Sequence, residues 1–117
     1  MRSVRALLVC CAATALVVSG VAPAAAAANR PGIVDLGTLG GEVAQATAVN
    51  NRGQVVGYSD PGGGRGHHAY LWTRGAMTDL GVLPGGVYSA ASDISDRGVI
   101  VGSSSVAGGD YHAVLWR

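Results

Sequence analysis

Three blocks of sequence recur in the same order about 44 residues apart, and that recurrence restricts the fold more than any other feature. IVDLGTLGG (33–41) returns as MTDLGVLPGG (77–86), ATAVNNRGQVVGYS (46–59) as ASDISDRGVIVGSS (91–104), and HAYLW (68–72) as HAVLW (112–116). Asp35 and Asp79 lie 44 residues apart, Gly57 and Gly102 lie 45 apart, and Trp72 and Trp116 again 44. Pro84 is the extra residue, and one residue fewer before His112 restores the spacing. Repeats of this length are single supersecondary units that bury their apolar faces against one another. Two copies, 33–76 and 77–117, therefore organise the chain after its first 32 residues.

Each copy reads as four short strands. The first centres on 33–36 or 77–80, the second on 46–49, the third on 54–59 and the fourth on 68–72. Val55 and Val56 are β-branched, and Asn50-Asn51-Arg52-Gly53 suits a turn that closes on a left-handed residue. No window carries the 3.6-residue apolar period of a helix, and the 19 glycines fit a turn every eight to twelve residues. The expected class is all-β. Four strands in about 44 residues is the size of one β-propeller blade, and the phase would let each unit lend its first strand to the preceding blade. Two units cannot close a propeller, so the alternatives are assembly of several chains, a shortened array, or a small open β-sandwich. With no phenylalanine and strands built on valine, leucine, alanine and glycine, each side chain buries little area, so two units are expected to be marginal alone.

Residues 1–28 have the layout of a secretory signal peptide: Arg2 and Arg5, an apolar core from Ala6 to Val18, then small residues broken by Pro23. An apolar core of about 13 residues falls short of the roughly 20 needed to cross a bilayer. Cleavage is expected after Ala26, Ala27 or Ala28, leaving 29–32 as a linker. Cys10 and Cys11 both lie in this segment, and Val9 before Cys10 does not suit a lipoprotein site. The secreted chain would then have no disulfide and no thiolate. It would carry six arginines, no lysine and seven acids, with no basic patch. Nucleic-acid binding is unsupported, as is a membrane contact after signal removal.

The three ordered blocks resemble the HAF-repeat extracellular proteins, whose repeat is similar to D-L-G-T-L-G-G, then S-x-A-x-x-I-N-x-x-G-x-V-V-G, then H-A-F-L-W. Here the blocks read DLGTLGG, AQATAVNNRGQVVG and HAYLW, then DLGVLPGG, SAASDISDRGVIVG and HAVLW. Tyr70 and Val114 replace the phenylalanine, Ala44 stands at the serine position of the first copy, and Ser95 at the asparagine position of the second. The resemblance implies secretion and repeat construction, and carries no activity, substrate or catalytic residue.

The residues that recur are read as structural: Asp35, Asn50, Gly53, Gly57, His68 and Trp72 in the first copy, and Asp79, Gly98, Gly102, His112 and Trp116 in the second. His68, Tyr70 and Trp72 share one face of an extended strand and could offer a histidine–aromatic surface, but their recurrence favours a bond within each unit. His67 has no counterpart and is expected to face solvent. Paired His67 and His68 point to opposite faces, and Asp110 with His112 makes only two ligands, so no metal site is expected. The segment 93–98 lacks the alternating acids of a calcium loop and reads as a turn. Asp35 and Asp79 sit at matching positions of different units, which does not suit the paired carboxylates of a glycosidase. The glycine-rich 61–66 has no lysine or following helix and is no phosphate cradle.

No catalytic residue and no cofactor is expected. The sequence points to a secreted, extracellular, non-enzymatic module that binds an extracellular ligand or serves structure, with self-association completing its sheets. The alternative is a fragment or subunit of a secreted carbohydrate-active hydrolase. A module should bring loops 40–45, 58–67 and 103–111 to a common rim, whereas a hydrolase should gather carboxylates such as Asp35, Glu42 and Asp60 in one cleft.

Overall fold

The computed structural model describes residues 31–117, so the expected signal peptide and the first half of the expected linker lie outside the described residues. All the strands among the described residues lie in one compact unit, Asp35–Arg117. Seven strands follow in order: β1 (Ala44–Val49), β2 (Val55–Ser59), β3 (His68–Thr73), β4 (Ala76–Gly81), β5 (Ser89–Ile94), β6 (Ile100–Ser105) and β7 (Tyr111–Trp116). They form two antiparallel sheets, β1-β2-β3-β4 and β5-β6-β7, neither of which closes into a barrel. There is no helix among the described residues. The fold is all-β.

One expectation needs correction. The second sheet has three strands, and residues 33–36 form no strand. The segment's second copy explains why: 77–80 lies within β4, which pairs with β3 in the sheet built by the first copy. A DLG segment completes the sheet that precedes it, and among the described residues none precedes 33–36.

Local chemistry sets the hairpins. Gly53 and Gly98 take φ of 77° and 89°, and their amides return to Asn50 O at 3.1 Å and Ser95 O at 3.0 Å. Arg74 and Gly75, both at positive φ, make the two-residue turn from β3 to β4. Register slips by one residue between Ala46 and Ala48, and again between Ala91 and Asp93. At both bulges the facing residue is a glycine, Gly57 or Gly102, where a Cβ would overlap the carbonyl oxygen of Gln45 or Ala90.

The two sheets pack front to back. Val56 and Ala69 of the first sheet meet Ala91, Ile94 and Ile100 of the second, with Ala48, Leu71, Leu80 and Trp116 packed around them. Ile100 and Trp116 correspond by position to Val55 and Trp72, which lie on the opposite face of the first sheet from Val56 and Leu71. Like faces therefore do not meet: the second sheet repeats the first by displacement.

Candidate functional site

The repeated polar residues hold the fold's connections. His68 Nδ1 lies 2.8 Å and 3.1 Å from the Asp79 carboxylate oxygens, linking β3 to β4. Asp79 Oδ1 also accepts the Gly81 amide at 2.8 Å, which turns the chain at the end of β4. Of their counterparts, Asp35 Oδ1 accepts the Gly37 amide at 2.9 Å, while His112 is exposed. Asn50 accepts the Arg52 and Gln54 amides at 3.0 Å through Oδ1, and its Nδ2 donates to Ser95 O at 2.9 Å. Trp72 and Trp116 are both half-buried, and Trp116 packs against the shared core.

Hydrogen bonds also cross between the sheets. Thr47 Oγ1 donates to Ala91 O at 2.8 Å. Asn51 donates its amide N–H to Asp96 Oδ1 and its Nδ2 to Asp96 Oδ2, both at 2.8 Å. The main-chain bond from Asn51, then the side-chain one, with Arg52 adding attraction, holds the Asp96 carboxyl below the usual 3.8. Ser89 Oγ accepts from Ala69 N at 2.8 Å and donates to Gly81 O at 2.7 Å, where the β3–β4 ladder slips. Burial raises the Tyr70 hydroxyl above its ordinary 10.0.

Five of the acids, spread through the fold, are tied to main chain. Asp60 Oδ1 accepts the Gly62 amide at 2.7 Å and Asp93 Oδ1 the Ile94 amide at 2.8 Å. In the segment 93–98, Asp93 and Ile94 end β5 and 95–98 make the hairpin turn, with Ser95 N donating to Val99 O at 2.9 Å. No three of His, Cys, Asp and Glu gather as a metal-ligand cluster among the described residues.

The loops at one end of the sheets are joined in series. Gly41 N donates to Asp60 O at 2.9 Å and Asp60 N to Val43 O at 2.8 Å, tying 40–45 to 58–67. Ser89 N donates to His67 O at 2.9 Å, and Ser105 N to Tyr88 O at 2.8 Å, carrying the series through 82–88 to 103–111. On this rim His67 stands between Tyr58 and Tyr88, its ring centroid 4.8 Å from one and 5.0 Å from the other. Tyr58 OH donates to Gln45 Oε1 at 2.7 Å.

His67 is half-buried rather than solvent-facing, because a phenol from each sheet's side of the seam covers it. Gly66 at φ 80° permits the approach: a Cβ there would lie 2.6 Å from Val87 O and 2.8 Å from the Tyr88 ring. Tyr58 and Tyr88 were missed by a reading that followed what repeats. The usable signal was the opposite one. Positions 58, 67 and 88 carry Tyr, His and Tyr where the other copy has Ser103, Tyr111 and Val43. The trio offers tilted rings and phenolic hydroxyls suited to stacking and hydrogen bonding.

The chain matches no protein-family model, no curated protein and no solved structure with which it was compared.

Proposed function

We propose that this is a secreted, non-enzymatic β-repeat protein of the HAF-repeat kind, whose two blade-like units form a binding or structural module outside the cell. One observation carries the reading: five of the seven acids, Asp35, Asp60, Asp79, Asp93 and Asp96, accept main-chain amides. A carboxylate occupied in this way shapes a turn or a seam, and such acids suit a scaffold better than a hydrolase that needs two facing a sugar ring. The joined loops and the Tyr58–His67–Tyr88 trio supply a rim on which an extracellular ligand could stack.

The test is an assay of the secreted full chain and its Asp60→Asn and Asp79→Asn variants on polysaccharides. The expected result is no turnover by any of them, with lower melting temperatures for both variants. Turnover that disappears in a variant which remains folded would establish the hydrolase alternative.

A further inference from the structure

Among the described residues, the second sheet leaves an edge and a face uncovered whose counterparts in the first sheet are both covered. Resting on the blade-like reading above, we propose that residues 33–37 of a second copy of this chain pair with the outer edge of β7, and that the first sheet of that copy stacks on the outer face of the second sheet.

The β3–β4 seam is the template. There Trp72 pairs with Met77, Leu71 with Thr78, Tyr70 with Asp79 and Ala69 with Gly81. Moved by one repeat, Trp116 faces Ile33 of the incoming strand, Leu115 faces Val34, Val114 faces Asp35 and Ala113 faces Gly37. His112 then meets Asp35 as His68 meets Asp79. Edge strands carry unpaired main-chain groups that readily accept an added strand.

The exposed surfaces match in chemistry. Ile33 is 100% exposed, Val34 75% and Leu115 52%. Val101 is 43% exposed, whereas its counterpart Val56 is 0% exposed between the sheets. The incoming segment also has the right local shape. Asp35 holds the Gly37 amide at 2.9 Å as Asp79 holds that of Gly81 at 2.8 Å, with φ of 90° and 81° at the two glycines. The loop behind it docks likewise, Leu39 N to Ser59 Oγ at 2.9 Å and Leu83 N to Ser104 Oγ at 2.8 Å.

The donor is a second copy because the chain's own segment is anchored two layers away from the vacant position. Leu39 is tied to Ser59, on the first sheet's face opposite Val56, and four extended residues reach about 14 Å at most. Layers are about 10 Å apart, so the vacant position beside β7 lies roughly 20 Å from where this segment belongs. Edge and segment are different surfaces, so the contact is head-to-tail and propagates as a ring or a filament.

Light scattering on the secreted full chain over a wide concentration range, together with mixing of separate Val34→Cys and Leu115→Cys variants, tests the assembly. The expected result is concentration-dependent growth in mass and a disulfide-linked pair that forms on mixing and not with either variant alone. A monomer at every concentration overturns the proposal, and so does association without the disulfide, which would place the contact elsewhere. Hydrogen exchange separates this failure from that of the blade-like reading: protected amides at 76–81 keep the latter standing, and free exchange there removes it. A gain-of-contact variant checks the register. Ser89 bridges Ala69 and Gly81, and Ala44 is its counterpart, so Ala44→Ser should tighten association about fivefold. An unchanged dissociation constant counts against the pairing described.

Discussion

The two sheets are built from the same phrases yet treat their residues differently. Val56 is 0% exposed and Val101, at the same place in the second sheet, is 43% exposed. Leu71 is half-buried against the second sheet, while Leu115 is 52% exposed. His68 is bound to Asp79 across β3 and β4, while among the described residues no strand pairs with the outer edge of β7 beside His112. The local sequences are alike, so the difference comes from neighbours: the first sheet has a fourth strand and a sheet stacked on its Val56 face. Burial in a repeat protein belongs to the stack more than to the unit.

The comparison can be broken most forcefully at the bulges. Gly57→Ala should destabilise by about 3 kcal/mol or more, because the new Cβ overlaps the main-chain oxygen of Gln45, which has no room to yield. Gly102→Ala should do the same against Ala90, and denaturant midpoints of the pair would show whether the sheets unfold as one unit.

A smaller and more discriminating effect is expected at the paired valines. Val56→Ala removes two buried carbons and should cost about 2 kcal/mol, whereas Val101→Ala in the dissociated chain should cost less than about 0.5 kcal/mol. Equal losses in thermal unfolding would abolish the distinction between the sheets. If copies assemble as proposed, Val101→Ala weakens association instead.

Ser89→Ala comes next. It removes the acceptor for Ala69 N and the donor to Gly81 O at a buried slip in the ladder, and about 1–2 kcal/mol should be lost in denaturant titration. Position 44 already carries alanine, so a comparable drop there on Ala44→Gly is not expected beyond the ordinary cost of glycine in a strand.

The mildest effect concerns pH. Asp96 has its carboxyl lowered below 3.8 in the folded chain by the bonds from Asn51, so the unfolded state binds the proton more readily. The stabilisation is complete above about pH 4 and is lost as pH falls through the lowered folded value. Melting temperature should decline in that window, and Asp96→Asn should flatten the part of the decline due to this seam.

Much of this was legible in the chain. The repeat spacing, the Asn50–Gly53 turn and the β-branched third strand point to short antiparallel strands, because turn chemistry and strand alternation are local properties. The phase of the DLG segment also suggested that a unit lends its first strand backwards, and 77–80 does join β3. The strand expected at 33–36 was not legible as absent, since its residues are as suited to a strand as those of β4. Pairing is a property of two segments, and the local sequence of one does not contain the other. Tyr58, His67 and Tyr88 escaped for a related reason: they are 30 residues apart at the extremes and meet only where β2, β3 and the loop before β5 converge.

The sequence by itself determined the unit: two copies, short strands, glycine where the chain must turn or pass close to another backbone, and aspartates that shape DLG turns. Those outcomes depend on residues within a few positions of one another or on the steric limits of a single φ. Tertiary structure decided the rest. It set which sheet receives each DLG segment, which of two equivalent valines is buried, and that His67 lies beneath two tyrosines. Each of these depends on what stacks against a face, and alternation along a strand prepares both faces without saying which will be covered.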